Sequence, residues 1–237
     1  MDIAIFILII LFASILQTST GFGFSIMATP FLLLLFNPVE AIQINLVLSI
    51  VISFAMIRTI HKDIDYQLLK RFSLGSVIGL PIGILILLFV DVDTLKIGIG
   101  LLILGLTLLL IIRFRVNRTS KRDITAGSIS GALTSSIGMP GPPLLLYLSG
   151  TDTDKARLRS TTLAFYLLIY TVSLVLQIST IGTSISTWTL SLYGLPLVFA
   201  GLYIGQKLYH KINQQQFRLI TYIILILTGL YLLFGSA

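Results

Sequence analysis

Gln17-Thr18-Ser19-Thr20-Gly21-Phe22-Gly23-Phe24-Ser25 and, half a chain later, Thr134-Ser135-Ser136-Ile137-Gly138-Met139-Pro140-Gly141-Pro142-Pro143 interrupt two long apolar stretches, Ile3–Phe36 and Ile124–Ser149. Glycine permits positive φ and close backbone approach, and proline beside a turn leaves the chain unable to continue as plain helix. Each stretch therefore reads as two helical arms joined at a tip. The first holds 34 residues, which at ~1.5 Å rise per residue would make a helix of roughly 50 Å, too long for one straight crossing of a ~30 Å hydrocarbon core. The second, at 26 residues, is closer to a single crossing. A turn at membrane depth must place its backbone polar groups against protein or water, so each tip is expected to line a cavity.

The rest of the chain points to the same solvent. Hydrophobic residues make up 56% of the 237 and charged residues only 11%, against roughly 25% charge in a soluble domain, and the mean hydropathy is +1.01. Apolar runs near the ~20 residues of a crossing occur at Val39–Ile57, Phe72–Val90, Leu95–Ile112, Thr161–Ile178, Trp188–Gly205 and Phe217–Phe234. The first broken stretch lacks a basic leader and exceeds a signal-peptide core, so it is expected to be retained. With no cysteine there is no disulfide, thiolate metal site or lipidated cysteine to consider. The expectation is one all-α polytopic membrane domain over residues 1–237.

Sliding the chain against itself by 115 residues brings Gly23 onto Gly138, Ala41 onto Ala156, Ser19-Thr20 onto Thr134-Ser135, and Gly79-Leu80-Pro81 onto Gly194-Leu195-Pro196. Transporters are commonly built from such internal repeats. Here repeat 1 spans about 1–114 and repeat 2 about 123–237, joined by a basic loop at 113–122. The net charge of +7 is confined to short loops and reports topology, not nucleic acid.

If all eight apolar segments cross, nine basic residues face one side and seven the other, with no bias. If both broken segments are re-entrant hairpins, fifteen face the cytoplasm (Arg58, Lys62, Lys70 and Arg71; Arg113, Arg115, Arg118, Lys121 and Arg122; Lys155, Arg157 and Arg159; Lys207, Lys211 and Arg218) and only Lys96 faces out. Positive charge resists translocation, which favours the hairpins. The fold expected is therefore two inverted repeats, each a broken hairpin plus three transmembrane helices, in a multi-pass cell-membrane protein with both termini outside.

Each returning arm presents a helix N-terminus at mid-depth. Free N–H groups and the positive end of the macrodipole suit an anion, and nearby hydroxyls add neutral donors. Ser19, Thr20, Gly21, Gly23 and Ser25 at the first tip, and Ser135, Ser136, Gly138, Gly141, Pro142 and Pro143 at the second, are the candidate binding residues, with Asn45 and Thr161 from the flanking spans. The plain alternative is that small residues only let helices pack closely. Gln43, Asn45 and Gln177 can equally reach the interface, as Trp188, Tyr66 and Tyr209 do at span ends.

The nine acids, including Asp123 and Asp152, fall at segment ends or loops, as do His61 and His210. That removes a carboxylate proton relay and an acidic channel ring. No Lys or Arg is expected inside a span to neutralise a substrate, which leaves neutral donors and dipoles to hold it. Pro81 and Pro196 would kink their helices at matching positions. There is no metal cluster, phosphate-binding loop or embedded nucleophile with its base, so no enzyme and no cofactor is expected.

The stretch Gln17–Pro30 with its Thr-Gly-Phe-Gly core, and Ser135–Leu144 still more, resemble the two glycine-rich motifs of the sulfite exporter TauE/SafE family. The layout of two related halves around a basic central loop is similar over essentially the whole chain. Phe22 and Phe24 stand where the family form is richer in glycine. The resemblance implies a secondary permease for small sulfur-containing anions such as sulfite or an organosulfonate. It carries over to Ser19, Thr20, Gly21, Gly23, Ser136, Gly138, Gly141, Pro142 and Pro143. The expected partners are that anion, the bilayer, and a coupling ion, proton or sodium. Oligomeric state and direction stay open; the rival readings are a passive anion channel and a non-transporting scaffold subunit.

Overall fold

The computed structural model describes residues 2–112, 115–151, 153–211 and 214–234, and no strand occurs among them. Arg113 and Asp152 lie outside the described residues. The helices are α1 Asp2–Thr20, α2 Phe24–Leu35, α3 Pro38–Ile60, α4 Tyr66–Phe89, α5 Val92–Ile111, α6 Ser120–Ile137, α7 Gly141–Gly150, α8 Lys155–Thr180, α9 Ile185–Lys211 and α10 Gln214–Phe234. Two arms followed by three long helices occur twice in this order.

Local chemistry sets the boundaries. Asn37 accepts from the N–H of Glu40 at 3.0 Å ahead of Pro38, Asp65 from that of Leu68 at 2.9 Å, and Asp154 from that of Arg157 at 3.0 Å, each an N-cap satisfying an orphan donor. At the end of α6, Gly138 takes φ 72° while its N–H reaches Thr134 O at 2.8 Å and that of Met139 reaches Leu133 O at 3.1 Å, an αL cap. Pro81 and Pro196 sit inside α4 and α9, which run on past them.

Both broken stretches fold back. The rings of Phe6, early in α1, and Phe36, just after α2, meet edge-on with centroids 6.0 Å apart; an unbroken helix would separate them by roughly 45 Å. In the second stretch the Val116 N–H donates to Gly150 O at 2.9 Å, and Tyr147 Oη donates to Asp123 Oδ1 at 2.5 Å. The start of each stretch therefore lies beside its own end.

Five helical segments are long and apolar enough to cross a membrane: Ile3–Thr20, Pro38–Asp63, Tyr66–Phe89, Lys155–Thr180 and Ile185–Lys211. The first of these is one arm of a hairpin, so its length alone does not separate an arm from a crossing. Shorter apolar helical segments lie at Lys96–Leu109 in α5 and Tyr222–Phe234 in α10.

The helices pack crosswise between the halves: α6 on α4 and α1 on α9, α7 on α5 and α2 on α10, with α3 against α8. Apolar helices in lipid gain little from burial against one another, and close contact must supply the attraction. On α4 a Cβ added to Gly75, Gly79 or Gly83 would lie 2.0, 1.9 or 2.1 Å from the carbonyl oxygens of Ile124, Ser128 and Ala132 on α6. Gly201 and Gly205 of α9 meet Ser14 and Ile15 of α1 in the same way, at 2.4 and 2.7 Å. The opposite face of α4 exposes Val77, Ile78, Leu85 and Phe89, an apolar surface suited to acyl chains.

Candidate functional site

The first turns of α2 and α7 meet beside the middle of α8. Tyr170 Oη donates to Ser25 Oγ at 3.2 Å, and a Cβ built on Gly141 would sit 2.9 Å from Tyr166 Oη and 3.2 Å from Ile26 Cδ1. The two tyrosine rings lie 5.0 Å apart, both fully buried. Tyr166 Oη has no hydrogen-bond partner among the described residues, nor do Thr29 Oγ1 and Asn45 Oδ1. A buried polar atom left so costs about 1–3 kcal/mol, which a bound polar ligand or water would relieve. Tyr166 and Tyr170 are the residues that sequence reasoning missed. Their signal in the sequence is two hydroxyl-bearing rings four residues apart in the middle of the span Thr161–Ile178.

The tips themselves are tied down. In the first, Gly21 and Gly23 take φ 88° and 116°. Ser19 Oγ and Thr20 Oγ1 both donate to Leu16 O, at 3.1 and 2.7 Å, and Thr20 also bonds the Phe22 carbonyl. Their hydroxyls close the turn. Gln17 reaches across to α3, donating to Ser49 O at 3.4 Å. In the second, Asn45 Nδ2 donates to Gly138 O at 2.9 Å and Gln177 Nε2 to Ser135 O at 3.0 Å. Ser135 Oγ donates to Leu80 O at 2.6 Å, joining α6 to α4, and Ser136 Oγ to Ala132 O at 2.8 Å. Gln43, whose Nε2 donates to Gly182 O at 2.9 Å, Asn45 and Gln177 are thus buried side chains that donate to backbone carbonyls.

Of the sequence candidates, Ser25 and Gly141 come together at the tyrosine pair, with Gly23 as the N-cap of α2 and Pro142 and Pro143 in the first turn of α7. Thr161 is placed elsewhere: its hydroxyl accepts from the Asp65 N–H at 3.0 Å, at the turn before α4. A cavity of about 20 Å³ lies between Thr29, Ile42, Lys96, Ser136 and Met139, room for about one water.

Two charged groups are buried where loop or segment-end residues were expected. Arg159 is 3% exposed. It donates to Thr18 O from Nε at 2.8 Å and Nη2 at 2.6 Å and to Gln206 Oε1 at 2.7 Å, and its guanidinium lies 4.0 Å from the centroid of the Tyr209 ring. Tyr209 therefore supports a cation, with Lys155 Nζ 4.1 Å from the same centroid. Asp123 is 0% exposed and faces Arg71 Nη1 at 2.9 Å, Arg118 Nε at 3.7 Å and the Tyr147 hydroxyl. Sequence spacing placed both residues near helix starts; the contacts of neighbouring helices bury them.

The residues so assembled offer hydroxyls and the first turns of two helices, groups of the kind that stabilise negative charge. No curated protein and no solved structure matches the chain. The profile of a family described as sulfite exporter TauE/SafE matches residues 6–232, nearly the whole length. By this match across both halves, the chain belongs to the sulfite exporter TauE/SafE family of membrane transporters.

Proposed function

We propose that the protein is a secondary permease that carries a small sulfur-containing oxyanion, sulfite or an organosulfonate, across the cell membrane by alternating access between two inverted repeats. The observation that carries this reading is the meeting of the α2 and α7 N-termini at Tyr166 and Tyr170. The free N–H groups at the start of α2, with the positive dipole ends of both helices, stabilise negative charge. The crosswise packing of α1 on α9 and α6 on α4 supports the paired halves, and the fifteen-to-one distribution of basic residues supports cytoplasmic loops with both termini outside. The nearby cavity holds about 20 Å³, no more than about a water. Passage of an anion then requires the hairpins to move, which favours a carrier over an open pore. A proton or sodium gradient would drive it.

The test is uptake of radiolabelled sulfite, sulfate, thiosulfate and sulfoacetate into liposomes holding the purified protein, with imposed proton or sodium gradients. Saturable uptake of one anion is expected, and Tyr170→Phe, which removes the donor to Ser25, is expected to reduce it by about tenfold, the equivalent of ~1.4 kcal/mol. Silence for all four anions under both gradients would overturn the reading.

A further inference from the structure

We infer that Arg159 binds the transported oxyanion: its guanidinium gives up the Thr18 carbonyl and takes the anion when the first hairpin lifts, an assignment that rests on the permease reading above.

A buried guanidinium stays charged at any physiological pH, and the loss of its hydration is normally offset by a carboxylate. The other buried charge shows the usual solution, Asp123 facing Arg71 and Arg118. Arg159 has no carboxylate within ion-pair distance among the described residues; Asp154, the nearest described acid in sequence, faces Arg157 at 3.8 Å and is 63% exposed. Its partners are two neutral oxygens and a ring face. Lys155, one turn earlier on α8 and over the same ring, adds a second positive charge. A buried guanidinium whose acceptors among the described residues are all neutral is complementary to an anion.

The geometry adds a coupling. Nε and Nη2 form the edge of the guanidinium fork that engages two oxygens of an oxyanion, yet here both converge on one oxygen, that of Thr18. The tip rests directly on the same residue: a Cβ on Gly21 would lie 2.7 Å from Arg159 Cα. An oxyanion can occupy the fork edge only if the tip withdraws, and a withdrawn tip leaves the fork with Gln206 alone. Anion and hairpin tip compete for one donor edge. Arrival of the substrate therefore favours the open tip, and its departure restores the clamp.

The experiment measures sulfite binding by thermal shift, and KM for sulfite flux in liposomes, for the full chain, Arg159→Lys and Gln206→Leu. Arg159→Lys keeps the charge and loses the fork; sulfite affinity should fall at least tenfold and KM rise in step. Gln206→Leu removes a competing acceptor and should lower KM several-fold. A residue that is only a clamp predicts lower melting temperatures for both variants with unchanged sulfite affinity, and that result overturns the assignment. Should Arg159→Lys not fold, Gln206→Leu decides alone: unchanged or weakened affinity overturns the proposal. Wild-type protein that neither binds nor moves any sulfur oxyanion overturns the permease reading itself, whereas normal wild-type binding matched by Arg159→Lys removes only the role of Arg159.

Discussion

Where the first hairpin turns, two glycines take φ 88° and 116° and the returning arm opens with Phe24, Ser25 and Ile26, all bearing an N–H. Where the second turns, Gly138 alone takes positive φ, and the returning arm opens with Gly141, Pro142 and Pro143 behind Pro140. Proline has no N–H, so only one donor remains in that first turn. The first tip can bind an anion through its backbone; the second mainly supplies a stiff wall bearing on Ile26 and Tyr166. The fastenings differ as well. The first hairpin is held by a charge at its tip, Arg159, and by an aromatic pair at its base. The second is held by neutral amides at its tip, Asn45 and Gln177, and by a charge cluster at its base, Asp123 with Arg71 and Arg118. In the proposed topology the first tip and the second base both lie toward the cytoplasm. Charge follows the side of the membrane, not the repeat, as expected if cations are kept from translocating.

The largest effect should come from the base of the second hairpin. Asp123→Asn removes the fully buried carboxylate that faces the partly exposed Arg71 and Arg118, which should cost about 2–3 kcal/mol, below the ~3–5 kcal/mol of a fully buried pair. The corresponding change at the first base, Phe36→Leu, removes an aromatic contact of about 0.5–1.5 kcal/mol. Thermal unfolding in detergent checks both; equal losses would erase the distinction between charged and apolar bases.

At the tips the comparison concerns flux. A methyl at Gly21 meets the Arg159 backbone at 2.7 Å, whereas one at Gly138 meets the Asn45 side-chain amide at 2.6 Å, and both positions have positive φ. Strain of about 1–3 kcal/mol at Gly21 should reduce sulfite flux roughly tenfold or more. Gly138→Ala should reduce it only a few-fold, because a side chain can swing aside, and adding Asn45→Ser should recover part of it. A rescue of Gly21→Ala by shortening Arg159 would contradict the backbone clash.

Much of this was legible beforehand because lipid permits few structures. The glycine and proline clusters at residues 17–25 and 134–143 mark both turns, and each apolar run lies within or largely overlaps a helix, several of which begin earlier than hydropathy alone indicates. What spacing could not show was which residues share a neighbourhood. Arg159 reads as a loop cation because it precedes the apolar run Thr161–Ile178, whereas α8 begins at Lys155 and the tip of α1 covers the arginine. Gln177 was read as interfacial because it lies late in its span, yet Ser135 O stands over it. Tyr166 and Tyr170 were passed over because a tyrosine in a span has several uses, and only the folded contact with Ser25 and Gly141 selects one. Thr161, a site candidate as a hydroxyl residue of a flanking span, instead holds the turn at Asp65.

That turn gives the smallest effect and the most specific one. Asp65 lies between the halves, with Arg118 Nη1 at 2.8 Å from Oδ2. Burial raises the Asp65 pKa, but the hydrogen bonds from Arg118 and the Leu68 N–H, with the charges of Arg118 and Arg157, outweigh it and hold the carboxyl below its ordinary value. A carboxylate with a folded-state pKa below its unfolded value of ~3.9 contributes stability above that pH and loses it as the pH falls through the folded value. Asp65→Asn keeps the N-cap, since asparagine caps as well as aspartate, and removes only the ion pair. The variant should be less stable than wild type by at most about 1 kcal/mol at pH 7, as for partly exposed pairs. The gap should narrow in high salt and close as the pH drops below about 4. The Asp123→Asn gap at the second base should persist in the same salt titration, because buried pairs are screened much less. If salt erased both gaps equally, the base of the second hairpin would be a surface cluster and its contrast with the first would fail.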